Sequence, residues 1–212
     1  MKIAILGASG MAGSAVYKQA AARGHEVTGF VRDAAKAKAV LGEGANLAVK
    51  NDFDLQKQDL AGFDVVVNAF SAPPDKAYLH VDLAAKLVAL FRESESPRLF
   101  FILGAGSLLD ANDVPFVETI KKMPGAEAWL GIPVNQYKEL EFLRNVDNVN
   151  WVGASPSATF EAGEAHTPVL GKDHLLTAAG GESHTTSGTM AVAILNEIEH
   201  PSVFKSRFTV SD

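Results

Sequence analysis

The sequence predicts an α/β fold, a doubly wound parallel sheet. Short runs that are apolar at consecutive positions alternate with segments of helical periodicity. The first run ends in a glycine-rich turn, MKIAILGASGMAGSAV, and a helical pattern follows at once. Strands without in–out alternation are covered on both faces, as in parallel sheets. Strand–helix alternation of this kind gives right-handed crossovers between parallel neighbours.

The strands expected on this basis are Lys2–Leu6, Glu26–Val31, Leu47–Val49, Asp64–Asn68, Arg98–Leu103 and Asn150–Gly153. Helices are expected over Met11–Arg23 and Asp75–Ser94, the second with Leu79, Leu83, Leu87 and Leu90 in one apolar stripe. The alanine- and lysine-rich residues after Asp33 form a helix that Asp33 caps, and a further helix runs from about Pro133 to Arg144. After Gly153 the rhythm breaks. Ser155–Pro168 reads as loop, VLGKDHLL as a small hairpin, Ser187 as the cap of a helix ending near Glu199, and RFTV as a last strand. Residues 1–212 therefore read as a single domain, with about 155–212 as an elaboration on the substrate side.

The chain has 212 residues, 47% hydrophobic and 21% charged, the composition of a soluble globular protein. Its net charge of −6, without a basic tract, argues against a nucleic-acid surface. The absence of cysteine excludes disulfides and thiolate metal sites. The apolar run behind Lys2 stops at Leu6, too short for a signal peptide, and no window reaches the ~18 apolar residues of a membrane span. A cytoplasmic protein is expected, with neither membrane nor nucleic acid as partner; the oligomeric state is left open.

Gly7, Gly10 and Gly13 lie between a strand and a helix, the context in which such a trio marks a dinucleotide site. One glycine permits the turn, another admits pyrophosphate to the backbone, and the third lets helix and strand pack closely. The helix N-terminus then offers unpaired N–H groups to the anion. Asp33 stands at the distance expected of a ribose-binding acid, but Arg32 precedes it, with Lys36 and Lys38 one turn on. A guanidinium there suits a 2′-phosphate, so NADP(H) is favoured over NAD(H). Asp52, after the third strand, either meets the adenine amino group or is an exposed loop acid.

GASGMAG, RGHEVTGFVRD, FILGAGSL, WVGASPSATFEAGE and RFTV resemble the atypical short-chain dehydrogenase/reductases, and among them the small bacterial proteins labelled NADH-flavin reductases. The resemblance spans nearly the whole chain and is vague between Asn112 and Ala128. It implies a Rossmann-like domain that binds NADP(H) or NAD(H). By position, it implies that Gly7, Ser9, Gly10, Met11 and Gly13 surround the pyrophosphate and that Arg32 meets the adenosine phosphate. It further implies that Asn68, Ala69 and Phe70 line the cofactor trough, that Gly104 to Ser107 face the nicotinamide, and that Pro156 and Ser157 touch the nicotinamide end with backbone.

Carbonyl-reducing members of that superfamily use a tyrosine followed four residues later by lysine. Here Tyr17, Tyr78 and Tyr137 are followed at that distance by Ala21, Asp82 and Glu141. Reduction of a simple ketone builds a localised oxyanion that needs a strong donor. Reduction of flavin spreads the charge over the ring, so positioning and stacking suffice. A planar small-molecule acceptor, free flavin or a quinone, is therefore the expected substrate of an NADP(H)-dependent oxidoreductase. A non-catalytic NADP(H) sensor and a sugar-type epimerase or reductase with an unconventional proton donor are the alternatives. Ser107 and Tyr137 are the hydroxyls placed nearest the chemistry. Ser107 serves equally as a turn or cap serine. Phe70, Phe116 and Trp129 either stack the acceptor or pack the core. His166 is placed near the acceptor, and no metal site is expected. GASPS departs from a nucleophile elbow, with Ser157 where the second glycine belongs.

Overall fold

The computed structural model describes residues 1–177 and 181–212. Its strands are β1 (Lys2–Leu6), β2 (Glu26–Val31), β3 (Leu47–Val49), β4 (Val65–Asn68), β5 (Ser94–Ile102), β6 (Val149–Pro156), β7 (Thr159–Glu161), β8 (Val169–Gly171), β9 (His184–Thr186) and β10 (Ser206–Ser211). The helices are α1 (Met11–Ala22), α2 (Ala34–Leu41), α3 (Lys57–Leu60), α4 (Leu79–Phe91), α5 (Phe116–Ile120), α6 (Gly131–Arg144) and α7 (Ser187–Glu199).

The main sheet has the order β3-β2-β1-β4-β5-β6-β10-β8. All neighbours pair in parallel except β8, which runs antiparallel to β10. Successive residues of the central strands face opposite layers. Ile3, Ile5, Val65, Val67 and Phe100 pack with Val16, Met190, Ile194 and Ile198 of α1 and α7. Ala4, Leu6, Val66, Leu99 and Phe101 pack with Leu83, Leu87, Leu140 and Leu143 of α4 and α6. Truncating a fully buried leucine such as Leu87 to alanine costs about 2–5 kcal/mol in such a core.

Several boundaries differ from the sequence expectation. The segment from Asp75 is not one helix: a 3-10 turn over Pro74–Lys76 precedes α4, and β5 already begins at Ser94. β6 continues to Pro156, and β7 pairs with β9 in a separate two-stranded ribbon, so 155–168 is only partly loop. VLGKDHLL is not a hairpin. Its first residues form β8, whose partner is β10, with Leu170 opposite Val210. Thr186, not Ser187, caps α7, its side chain accepting from the Thr189 N–H. Asp33 does cap α2, its Oδ1 accepting from the Lys36 N–H at 3.1 Å. Among the described residues no helix is long and apolar enough to cross a membrane.

Candidate functional site

At the carboxyl ends of the strands, the chain turns away from β1 through Gly7, held at φ +68. That left-handed conformation favours glycine, and a Cβ there would stand 2.7 Å from the Ala69 carbonyl oxygen behind β4. The Gly10 N–H donates to the Gly7 carbonyl at 2.9 Å and closes the turn. Gly10 is the N-cap of α1, and no side chain caps that helix. Its first N–H groups therefore point outward unpaired, as an anion requires. Ser9 is half-buried in the turn, Met11 is exposed, and Gly13 is buried against the Gly7 backbone.

A cleft of about 410 Å³ opens beside this turn. Gly10, Met11, Ala69, Phe70, Gly104, Pro156 and Ser157, expected there from the sequence, all line it. Residues from α5, α6 and the stretch between them close the opposite side: Ile120, Trp129, Ile132, Pro133 and Gln136. Phe160 of β7 completes the wall. The lining is mostly apolar and carries three aromatic rings, which suits a planar ligand. A larger groove of about 1050 Å³ lies between α7 and β8/β10. It reaches Ser206 and Phe204, toward the amino ends of the parallel strands, where this architecture does not place its ligands.

Other expected residues have different surroundings. Ser107 does not line the cleft: it is buried, and its Oγ accepts from Arg207 Nη1 at 3.1 Å. The same nitrogen donates to Ser155 Oγ at 3.0 Å, and Asp173 holds the other side of the guanidinium at 2.6 Å. This network fixes Ser107 as a buried polar partner. Tyr137 is half-buried on α6 and lies outside the cleft lining, while Gln136, one residue before it, faces in. Asn68 is buried, and its Oδ1 accepts from the Phe70 N–H at 3.2 Å, which shapes the turn leaving β4. The Ser157 Oγ donates to the Val210 carbonyl at 3.0 Å, so only the edge of that residue meets the cleft.

Phe70 stands edge-on to Phe53 at 5.8 Å and to His80 at 5.6 Å, with one side left to the cleft. Phe116 starts α5 and does not reach the lining; Trp129 does, and is 41% exposed. Behind Phe70, His80 Nδ1 lies 3.9 Å from Glu139 Oε2 in the core. Burial pulls His80 down to about 4 and pushes the Glu139 carboxyl well above the usual carboxylate range. His166 is exposed, and among the described residues no cluster of His, Asp and Glu could hold a metal.

Arg32 is exposed at the end of β2, and Lys36 is exposed on α2; among the described residues neither has an ion-pair partner. Lys38 pairs with Glu43 at 3.3 Å. Asp52 is not an exposed loop acid. It is 7% exposed, and burial raises its carboxyl to about 6, against the pull of Arg32. The local sequence, Asn-Asp-Phe-Asp, carries no sign of that burial.

A parallel sheet with a glycine turn at an uncapped helix start, facing a cleft across the β1–β4 switch, defines a dinucleotide-binding protein of Rossmann type. Residues 7–201 match the model of the family described as NAD(P)H-binding, and the chain belongs to that family. It is 37% identical over 215 residues to the protein YwnB of Bacillus subtilis (strain 168), covering 99% of this chain and 98% of that one. A solved structure from Lactobacillus casei shares 43% identity and a TM-score of 0.94, covering 100% of this chain and 99% of the other. Another, from Streptococcus pneumoniae TIGR4 and named a "putative NADH-flavin reductase", shares 31% identity and a TM-score of 0.89 over 100% and 99% of the two chains.

Proposed function

We propose that this protein is an NADP(H)-dependent oxidoreductase that reduces a planar acceptor, free flavin or a quinone. The observation that carries the reading is a cleft walled by Phe70, Trp129 and Phe160, with the hydroxyls of Ser107 and Tyr137 outside its lining. Such a site stacks and orients a flat ring and offers no strong acid to a developing alkoxide. The likeness to the Streptococcus protein is in keeping with it.

The residues present fit the dinucleotide. A Cβ on Gly7 or Gly13 would enter the neighbouring backbone, so the turn is shaped for close approach to α1. The outward N–H groups of α1 would hold the pyrophosphate, Arg32 with Lys36 the 2′-phosphate, and Asp52 would lie near the adenosine, beside Arg32. Ala69, Gly104 and Pro156 would flank the nicotinamide. When bound, the nicotinamide supplies a hydride, and water supplies the proton that completes reduction of the acceptor. The chain's own residues orient the two rings and exclude water from between them.

Purified protein with NADPH and either FMN or menadione tests the reading. Oxidation of NADPH above a protein-free control is expected, with Arg32→Ala raising the KM for NADPH at least tenfold and leaving that for NADH unchanged. No oxidation with either acceptor would overturn it in favour of a non-catalytic NADP(H)-binding protein. An unchanged KM for NADPH in Arg32→Ala would remove the NADP(H) preference.

A further inference from the structure

Gln136 is the polar side chain that α6 turns into the cleft. Its carboxamide lies directly on the backbone of Gly104, at the end of β5. A Cβ on Gly104 would overlap Gln136 Oε1 and stand 2.9 Å from Cδ. The helix that carries it is fixed at its start by two more glycines. A Cβ on Gly106 would meet Pro133 Cβ at 2.9 Å, and one on Gly131 would meet the Pro74 carbonyl oxygen at 2.5 Å. The amide thus stands on a rigid support close against the cleft floor.

Apart from the exposed Ser71, the neighbouring polar groups are engaged elsewhere. Asn135 Nδ2 donates to the Gly131 carbonyl at 2.8 Å, Ser157 Oγ to Val210, and Ser107 Oγ accepts from Arg207. Among the described residues the Gln136 amide has no hydrogen-bond partner. A primary carboxamide offers one acceptor and one donor side by side, the complement of a ring edge with adjacent carbonyl and N–H. In a mostly apolar slot, such a group sets specificity more than its small size implies, because a mismatched ring leaves it unpaired.

We propose that Gln136 is the specificity-determining residue of the cleft, pairing with the amide edge of a heterocyclic acceptor. It thereby favours isoalloxazine-type rings over quinones, which carry carbonyls without an adjacent N–H. The inference rests on the acceptor reading above, and an equilibrium measurement separates the two.

Lumiflavin, an isoalloxazine whose one N–H lies in the imide edge, and its N3-methyl derivative, in which that edge is blocked, are titrated against the protein saturated with NADP+. Wild type is expected to bind lumiflavin about tenfold more tightly than the methylated ring, the worth of one or two neutral hydrogen bonds. Gln136→Leu is expected to bind both rings equally and as weakly as wild type binds the methylated one. Its NADP+ affinity and melting temperature should match those of wild type. Failure of wild type to bind lumiflavin or to discriminate between the rings would overturn the inference. So would discrimination retained in Gln136→Leu, or a matching loss of NADP+ affinity, which would assign the amide to the cofactor's own carboxamide. Absence of turnover with FMN and menadione would overturn the oxidoreductase reading alone, because the discrimination is read without catalysis.

Discussion

A Cβ placed on Gly13 would overlap the carbonyl oxygen of Gly7 and stand 2.9 Å from its carbon. The first turn of α1 therefore rests on the glycine turn with no room for a side chain between them. Gly13→Ala must push the helix start away from the turn, at about 1–3 kcal/mol. Thermal unfolding should fall accordingly, and NADP+ affinity measured by titration should drop at least tenfold. Gly10→Ala is a control with ordinary backbone at φ −77 and one close neighbour, the Gly7 oxygen at 3.2 Å. It should melt close to wild type.

Asp52 makes stability depend on pH in an unusual direction. Burial raises its carboxyl in the folded protein to about 6, from 3.8. Between those values the folded state holds the proton more tightly than the unfolded state, so stability falls as pH rises from about 4 to 6. The loss is on the order of 2–3 kcal/mol and persists above pH 6. Asp52→Asn should be more stable than wild type at pH 7, with the difference vanishing near pH 4, as read from urea midpoints.

Arg98 and Glu197 form a buried pair at 2.6 Å, each side chain 7% exposed. Burial pushes the Glu197 carboxyl up, but donors from Arg98, Val203 and Ser202 together outweigh it and hold it below its ordinary value. The contribution is present above pH 4.5 and is lost as pH falls through the depressed value. Glu197→Ala leaves the Arg98 charge uncompensated and should cost about 3–5 kcal/mol at pH 7. The penalty in urea midpoint should shrink below pH 4.5.

His184 stands between two carboxylates, Nε2 3.0 Å from Glu161 and Nδ1 2.8 Å from Asp212. The Glu161 contact, then that of Asp212, raises its imidazole above 6.5 despite partial burial. Its stabilising contribution is complete below 6.5 and disappears as pH rises through the higher value. An NMR titration of the ring should show His184 deprotonating above 6.5, and the Glu161→Gln variant should bring that midpoint down.

The central sheet was legible because β1 and β4 are apolar at consecutive positions, which burial under both helical layers requires. The pairing of β8 with β10 was not legible: it joins segments nearly forty positions apart with no local turn to announce it. Thr186 and Ser187 are adjacent hydroxyls, and only the backbone turn into α7 decides which one caps. Within the cleft, Gly10 was readable from the spacing of the glycine trio, whereas Ala69, Phe70, Gly104, Pro156 and Ser157 followed only from the family resemblance. Gln136 was missed for Tyr137 by one position of helical phase. The contact of α6 with Gly104 and Gly106 sets that phase, and no single-helix pattern records it. The burial of Ser107 was not legible because its partner, Arg207, is 100 residues away.

The side of the cleft opposite the glycine turn comes from one uninterrupted connection between β5 and β6, from Gly104 through Ile120, Trp129 and Pro133 to Gln136. The turn at Gly7–Gly13 and the cations after β2 belong to an earlier stretch and make no use of it. On the proposed function, replacement of that connection beyond Gly104 would change which oxidant is accepted while the grip on the nucleotide is inherited intact. Diversification of substrate range in such a chain needs a single exchanged cassette rather than coordinated change throughout.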